Sequence, residues 1–214
     1  MIYDETVDTA LIDRLLEPYA RLDERQLRAT SIYIDLLVKW NARINLTAIR
    51  DPQEIVTRHF GESFFAARQL LSRGPWRSVI DLGSGAGFPG VPLAMLMTES
   101  RVTLIESNQK KATFLKEVIF ALELDNATVF HGRGETCAER ADLVIMRAVE
   151  KFEDSLVVAS NLARPNGTVA LMIGASQVSR ARAVVSNVEW IETVQVPGSE
   201  SRILLAGIKR VKVG

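Results

Sequence analysis

The stretch Ser78–Gly90, with the sequence SVIDLGSGAGFPG, decides the fold of this 214-residue chain. It begins with a short run of apolar, β-branched residues, which predicts a buried strand. Four closely spaced glycines follow the strand: Gly83, Gly85, Gly87 and Gly90. Because glycine adopts positive φ and has no Cβ, a ligand can lie against the main-chain N–H groups of such a loop. The next apolar segment, Val91–Met97, predicts a helix that begins at the loop. This order of strand, glycine loop and helix is typical of a nucleotide-type site in an α/β sheet.

The glycine pattern leaves more than one ligand open. The spacing Gly85-x-Gly87-x-x-Gly90 also satisfies the dinucleotide fingerprint of nicotinamide and flavin enzymes, and a tight turn without a ligand is a further alternative. Val102–Glu106 predicts the next strand, and Glu106 lies about 20 residues beyond the glycines, where a ribose-binding carboxylate belongs. Such a carboxylate would repel a 2′-phosphate, so the pattern disfavours NADP.

Composition limits the classes of function. The chain has 47% hydrophobic residues, and its 26 Lys and Arg residues balance 26 Asp and Glu residues. Cys137 is the single cysteine, which excludes an internal disulfide and a cysteine-rich metal site, and the two histidines offer no metal-ligand spacing. No apolar run reaches membrane-spanning length, and the first residues lack the pattern of a signal peptide. We therefore expect a soluble, cytoplasmic protein without a bound metal.

The chain divides into two predicted regions. Residues 1–75 have helical periodicity and predict a helical region packed on the core, whereas residues 76–214 alternate strands with helices, as in a Rossmann-like α/β core. Further strands are predicted at Ala127–Phe130, Leu143–Met146, Thr168–Ile173, Trp190–Val196 and Ser201–Lys209. Further helices are predicted at Asn108–Leu124, Phe152–Ala163 and Ala175–Asn187. The short connection between the last two strands predicts an antiparallel hairpin, which completes a sheet of about seven strands. A dehydrogenase would need a second set of crossovers instead.

Charge is uneven within the helical region. Between residues 39 and 77 the basic residues outnumber the acidic Asp51, Glu54 and Glu62. The basic residues are Lys39, Arg43, Arg50, Arg58, Arg68, Arg73 and Arg77. They indicate a basic patch near the glycine loop that can hold the phosphates of a nucleic acid. The alternative is a set of solvated helix faces.

Several motifs resemble a known family. Class I methyltransferases bind S-adenosylmethionine with a loop of the form Asp81–Gly85 and with an acid at the position of Glu106. Nearly the whole chain is similar to the glucose-inhibited division protein B family, also called RsmG. The residues that carry this similarity are Trp40-Asn41, Asn45-Leu46-Thr47, His59, Ser63, Gly87-Phe88-Pro89-Gly90 and Met146-Arg147-Ala148.

The resemblance implies a fold and an activity. The fold is the class I methyltransferase sheet preceded by a helical extension, and the cofactor is S-adenosylmethionine. The implied reaction is methylation of N7 of a guanine in small-subunit (16S) ribosomal RNA, with that RNA or the 30S particle as the partner and a monomer as the favoured state. A small-molecule or protein substrate is the first alternative, and an NAD-linked oxidoreductase is the second. Guanine N7 carries no proton, so the reaction needs alignment rather than a general base.

The resemblance also implies site residues. The cofactor-binding set is Asp81, Gly83, Gly85, Gly87, Phe88, Glu106, Gly134, Glu135 and Arg147. Arg147 is also the candidate catalytic residue, and its alternative role is a bridge from the strand end to a surface acid. The candidate RNA contacts are Asn45, Arg58 and His59, and the alternative for His59 is a packed core residue. No residue is assigned to a metal.

The chain departs from the family pattern at four positions. Glu62 replaces the usual aspartate, and Phe64 replaces a leucine. Ile173 stands where many members have lysine, and Ile203 stands where histidine is frequent. We expect the two isoleucines to affect the RNA substrate rather than cofactor binding.

Overall fold

The computed structural model describes residues 8–149 and 151–210. A seven-stranded sheet, in the order β3-β2-β1-β4-β5-β7-β6, forms the centre of the described chain. The strands are β1 (Ser78–Leu82), β2 (Arg101–Glu106), β3 (Ala127–His131), β4 (Ala141–Arg147), β5 (Ala163–Gly174), β6 (Val188–Gln195) and β7 (Arg202–Lys209). Strands β1 to β5 pair in parallel, whereas β7 is antiparallel to both β5 and β6. The predicted α/β sheet with a final antiparallel hairpin is confirmed.

Helices cover both faces of the sheet. They are α1 (Thr9–Leu16), α2 (Glu24–Asn41), α3 (Pro52–Ile55), α4 (Glu62–Leu71), α5 (Gly90–Leu96), α6 (Gln109–Ala121), α7 (Phe152–Leu162) and α8 (Val178–Val184). Strand β1 is buried along its whole length, and its alternate side chains enter different cores. Val79 packs with α1 to α6 on one face, whereas Ile80 packs with α7 and α8 on the other.

The first helices begin where the sequence provides caps. Asp23 forms a capping box with Gln26 at the start of α2, and Asp51 accepts hydrogen bonds at the start of α3, where Pro52 occupies the first turn. The helix that follows Asp51 is interrupted by one π-helical segment, Val56–Gly61, before α4 begins. Nothing in the hydrophobic pattern predicts this interruption.

Two predicted element boundaries differ from the structure. The predicted helix at Ala175–Asn187 is a 3₁₀ turn, Ala175–Gln177, followed by the short α8. Strand β5 begins at Ala163, whereas the sequence predicts its start at Thr168. The division of the chain after residue 75 remains a prediction, and its outermost residues, 1–7 and 211–214, lie outside the described chain. No helix in the described ranges is long and apolar enough to cross a membrane.

Tyr33 connects the helical region to the glycine loop. It lies on α2, is fully buried, and donates a hydrogen bond from its hydroxyl to the carbonyl oxygen of Ala86. Its ring is stacked on Phe88, with 5.2 Å between the ring centroids and 8° between the planes. The conformation of the loop therefore depends on a helix that is distant in sequence.

Replacing Tyr33 with Phe tests this connection. The substitution keeps the ring but leaves the buried Ala86 carbonyl without its donor, so we expect the free energy of unfolding to fall by about 1–3 kcal/mol. Urea unfolding monitored by circular dichroism measures the change. Tyr19→Phe is the matched control, because Tyr19 is only partly buried, so water can replace contacts of its hydroxyl. Equal losses in the two variants would contradict the proposed role of the Tyr33 hydroxyl.

Candidate active site

A cleft of about 850 Å³ opens at the carboxyl ends of β1, β2 and β4. In the sheet order, β2 lies on one side of β1 and β4 lies on the other, so the chain crosses the sheet in opposite directions from β1. Ligands of open α/β sheets bind at such a switch point. Glu106 ends β2 on one side of the cleft, and Arg147 ends β4 on the other.

The glycine loop forms the floor of the cleft. Gly83, Gly85 and Gly87 have φ values of 74°, 57° and 89°, which L side chains rarely adopt. Gly83 and Gly85 line the cleft. A Cβ at Gly85 would have only the Gly83 carbonyl oxygen nearby, at 3.9 Å, so it would enter open space. Gly85 therefore keeps the floor of the cleft clear.

Gly87 has a different reason to be glycine. A Cβ there would lie 2.2 Å from the Tyr33 hydroxyl oxygen and 2.9 Å from Val91, both in the protein interior. Gly87 is not among the described residues that line the cleft. It permits the close packing of α2 against the loop.

Asp81 lies behind the loop rather than on the wall of the cleft. Its carboxylate is fully buried and accepts a hydrogen bond of 3.0 Å from the N–H of Gly90, at the start of α5. Burial raises the pKa of Asp81 to about 7, against the opposing effect of hydrogen bonds from Ser84 and Gly90. The structure therefore gives Asp81 the role of fixing the loop to α5.

Glu106 lies on the cleft wall and holds the loop. Its Oε2 accepts a hydrogen bond of 2.9 Å from the N–H of Gly85, and its Oε1 accepts one of 2.7 Å from the N–H of Asn108. A carboxylate has about four acceptor positions, so two remain for a ligand. Gly134 and Glu135 form a 3₁₀ turn that also lines the cleft. A Cβ at Gly134 would lie 2.5 Å from Leu82 Cδ1, so only glycine fits this close approach.

Arg147 is held in position by contacts with the helical region. Its Nη2 lies 3.1 Å from Glu62 Oε2 and donates a hydrogen bond of 2.8 Å to the carbonyl oxygen of Arg58. Glu62 is buried, and its Oε1 lies 2.6 Å from Nε of Arg202 on β7. Burial raises the pKa of Glu62 and lowers that of Arg147, while each charge opposes the shift of the other. The residue that departs from the family pattern at position 62 is thus the counterion of Arg147.

His59 lies on the same wall of the cleft as Arg147, within the π-helical segment. Its ring is stacked on Phe88, with 4.8 Å between centroids, and its Nε2 lies 2.7 Å from the hydroxyl oxygen of Thr47. Burial lowers the pKa of His59 to about 3, and the guanidinium groups of Arg147 and Arg58 act in the same direction. His59 is therefore a neutral ring at pH 7.

The structure places the predicted site residues in two groups. The first group lines the cleft: Gly83, Gly85, Phe88, Glu106, Gly134, Glu135, Arg147 and His59. The second lies outside the cleft wall: Asp81, Gly87, Asn45 and Arg58. Asn45 is exposed and accepts a hydrogen bond from Arg50, and the side chain of Arg58 pairs with Glu54 at 2.7 Å.

The two isoleucine replacements form a direct cross-strand pair. Ile173 on β5 is opposite Ile203 on β7, and both are buried in the core that contains α7 and α8. Neither is among the described residues that line the cleft. Together they make an apolar contact next to Arg202, the second partner of Glu62.

Among the residues that shape the cleft and that sequence reasoning missed, three lie close together in the helical region. Leu46 and Thr47 line the cleft, and Asn41 holds both of their backbone N–H groups. The Trp40–Thr47 block carried the family resemblance, but Asn45 was its only residue named as a candidate contact. In the described chain, no group of three or more His, Cys, Asp and Glu side chains is placed to hold a metal ion.

The two histidines provide a test of the burial of His59. Below pH 6.5 the unfolded chain takes up a proton on His59 that the folded chain does not, so this group destabilises the fold as pH falls. We expect its contribution to reach about 2 kcal/mol at pH 5. Urea unfolding of wild type and His59→Gln at pH 7 and pH 5 measures the difference.

Asp81 also contributes to the pH dependence of stability, with a sign opposite to that of His59. Its contribution is present in both wild type and variant, so the comparison between them isolates the effect of His59. The folded pKa of Asp81 is raised, so that carboxyl favours the folded state as pH falls toward its ordinary value. His131→Gln is the matched control, since that side chain is exposed. An unchanged pH dependence in His59→Gln would show that the ring is not held neutral.

Relatives of the chain were found by sequence. The family model described as rRNA small subunit methyltransferase G matches residues 26–200. A protein of Xanthomonas axonopodis pv. citri (strain 306), named Ribosomal RNA small subunit methyltransferase G, is 38% identical over 201 residues, which cover 87% of this chain and 93% of the relative. A protein of the same name from Roseiflexus sp. (strain RS-1) is 41% identical over 199 residues, covering 86% and 84%.

Solved structures share the fold. A SAM-dependent methyltransferase from Aquifex aeolicus aligns with a TM-score of 0.59 at 16% identity, covering 74% of this chain and 94% of that one. TYW2 from P. horikoshii, solved in complex with MeSAdo, aligns with a TM-score of 0.60 at 17% identity, covering 79% and 66%. The fold is therefore that of the class I methyltransferases. Taken with the family match over most of its length, the chain belongs to the rRNA small subunit methyltransferase G family.

Proposed function

We propose that this protein transfers a methyl group from S-adenosylmethionine to N7 of a guanine in small-subunit (16S) ribosomal RNA. The observation that carries the proposal is family membership over most of the chain, together with a cleft at the sheet position where that family's fold binds its cofactor. The alternative of a dehydrogenase finds no support in the topology, because β6 and β7 form a hairpin rather than further crossovers.

The residues of the cleft fit S-adenosylmethionine. The cleft volume of about 850 Å³ accommodates a nucleoside with an amino-acid tail. A Cβ at Gly85 would enter the open space, as expected where a ligand lies against the backbone. Glu106 retains two acceptor positions for the ribose hydroxyls, and we propose that Gly134-Glu135, which line the cleft, contact the adenine end.

The remaining predicted cofactor residues act in different ways. Gly83, Phe88 and Arg147 lie on the wall and are proposed as direct contacts, with Arg147 contacting the carboxylate of the methionine part. Asp81 and Gly87 support the loop from behind, so we propose that they contribute to binding through the shape of the loop.

The chemistry requires alignment and exclusion of water. When bound, S-adenosylmethionine would supply a methyl group on a sulfonium sulfur, and the N7 lone pair would form the new N–C bond as the electron pair of the S–C bond returned to sulfur. Because N7 carries no proton, no base is needed, and the neutral His59 is free to act as a packing and positioning residue. Arg147 stays cationic because it faces Glu62, so it serves as a fixed positive contact.

The RNA is proposed to approach from the wall that the helical region supplies. Leu46, Thr47 and His59 line this side, and the loop that contains Leu46 and Thr47 carries the exposed basic residues Arg43 and Arg50. We propose Asn45, Arg58 and His59 as RNA contacts on this side. A ribosomal substrate places the reaction in the cytoplasm.

Transfer of a labelled methyl group tests the proposed substrate. The enzyme and labelled S-adenosylmethionine are incubated with 30S particles, with naked small-subunit RNA and with a metabolite extract, all from cells that lack this protein. We expect label in the particle or the RNA, and nucleoside analysis should identify it as 7-methylguanosine. Label only in the extract would indicate a small-molecule substrate and contradict the proposal.

Gly85→Ala tests the proposed cofactor contact. The new methyl group would enter the cleft where the cofactor lies, and we expect about 10- to 100-fold weaker binding of S-adenosylhomocysteine by calorimetry, from overpacking of 1–3 kcal/mol. The matched control is Gly198→Ala, because Gly198 also has a positive φ, of 68°, but lies in the β6–β7 turn. Equal affinity in the two variants would show that the cofactor does not lie on Gly85.

A further inference from the structure

Thr47 is held in place on the cleft wall by the side chain of Asn41. The Oδ1 of Asn41 accepts hydrogen bonds from the N–H groups of Leu46, at 2.9 Å, and Thr47, at 3.0 Å. The Nδ2 of the same side chain donates to the carbonyl oxygen of Thr47 at 3.1 Å. One amide thus satisfies both backbone polar groups of Thr47, so its side chain has a fixed origin.

The hydroxyl oxygen of Thr47 has two close nitrogen neighbours. The N–H of Ile49 donates to it at 3.1 Å, and Nε2 of His59 lies 2.7 Å away. A hydroxyl group has two acceptor positions and one hydrogen. If His59 donates from Nε2, both acceptor positions are filled and only the hydrogen of the hydroxyl remains.

The surroundings of His59 favour this tautomer. Its other ring nitrogen, Nδ1, is buried without a hydrogen-bond partner in the described chain, as are Arg58 Nε and Arg147 Nη1. Both guanidinium groups act on the ring as positive charges. Because Nδ1 has no partner in the described chain, an N–H there would be a buried donor without an acceptor, which is rarer in proteins than a buried acceptor without a donor. The ring proton is therefore assigned to Nε2, which donates it to Thr47.

We propose that the Thr47 hydroxyl is a specificity-determining donor that gives its hydrogen to O6 of the target guanine. This inference rests on the proposed function. On the edge that contains N7, guanine presents O6 as a second acceptor, whereas adenine presents an amino group. A hydroxyl whose acceptor positions are filled cannot accept from that amino group, so it selects guanine. Donation to O6 leaves the N7 lone pair free to take the methyl group.

The wall position of Thr47 agrees with this role. Thr47 is 8% exposed and lines the cleft beside His59 and Leu46, on the side opposite Glu106. Glu106 is the proposed ribose contact, so the base to be methylated is expected at the Thr47 side. The competing acceptor for the hydroxyl is the carboxylate of the cofactor, and the two are separated by experiment.

The test compares two RNA substrates after the methylated nucleotide has been mapped. One carries guanine at that position, and the other carries 2-aminopurine, which keeps N7 and lacks O6. We expect wild-type kcat/KM to be about tenfold lower on 2-aminopurine, the effect of one lost hydrogen bond. Equal values on the two RNAs would overturn the proposal, and this arm needs no variant that must fold.

Variants identify Thr47 as the donor. Thr47→Val should lower kcat/KM on guanine RNA about tenfold but cause no further loss on 2-aminopurine RNA, whereas Thr47→Ser should stay within about twofold of wild type. Thr113→Val is the matched control, because the Thr113 hydroxyl donates to a backbone carbonyl on α6, outside the cleft. Thermal unfolding and S-adenosylhomocysteine affinity are measured for each variant. We expect every variant to fold and to bind S-adenosylhomocysteine with unchanged affinity.

The outcomes distinguish a failure of the inference about Thr47 from a failure of the proposed function. If Thr47→Val loses the same factor on both RNAs, or loses cofactor affinity by that factor, the hydroxyl does not read O6 and the inference is wrong. If wild-type protein forms no 7-methylguanosine in small-subunit RNA, the proposed function fails and the inference fails with it. The inference stands if wild type forms 7-methylguanosine and discriminates against 2-aminopurine RNA, and if Thr47→Val loses this discrimination.

Discussion

The glycine loop is clamped between two side chains that come from distant parts of the chain. Glu106, at the end of β2, accepts from the N–H of Gly85, and Tyr33, on α2, donates to the carbonyl of Ala86. Backbone groups of two neighbouring residues are thus fixed from distant regions of the protein. The positive φ values of Gly83 and Gly85 are compatible with only a narrow set of loop shapes, and these two contacts select one. The floor of the cleft depends on this selection.

The helical region contributes to the site rather than only covering the sheet. It supplies Thr47 and His59 on one wall, and Glu62 beneath Arg147. The π-helical segment brings the Arg58 carbonyl onto Arg147 and places His59 against Phe88. π-Helical segments are frequently found at functional sites. The strand ends and their loops provide most of the cleft, and the helical region adds Leu46, Thr47 and His59 to its wall, which fits an enzyme that must bring a small cofactor and a large nucleic acid together.

The sequence predicted what depends on local pattern and missed what depends on distant contacts. Strand periodicity, the glycine spacing and the position of Glu106 sufficed for the sheet and for one wall of the cleft, because these signals are contained in short segments. The π-helical segment and the Glu62–Arg147 pair could not be read from sequence, because each is decided by packing between segments far apart along the chain. Gly87 was predicted for the ligand side because glycine spacing does not reveal which side of a loop faces a ligand.

A crystal structure of the protein with S-adenosylhomocysteine tests the proposed cofactor site directly. We expect the ligand on the loop at Gly83 and Gly85, with its ribose hydroxyls within hydrogen-bond distance of Glu106 and its amino-acid end toward Arg147. A ligand bound elsewhere, or a Glu106 carboxylate turned away from the ribose, would contradict the proposed site.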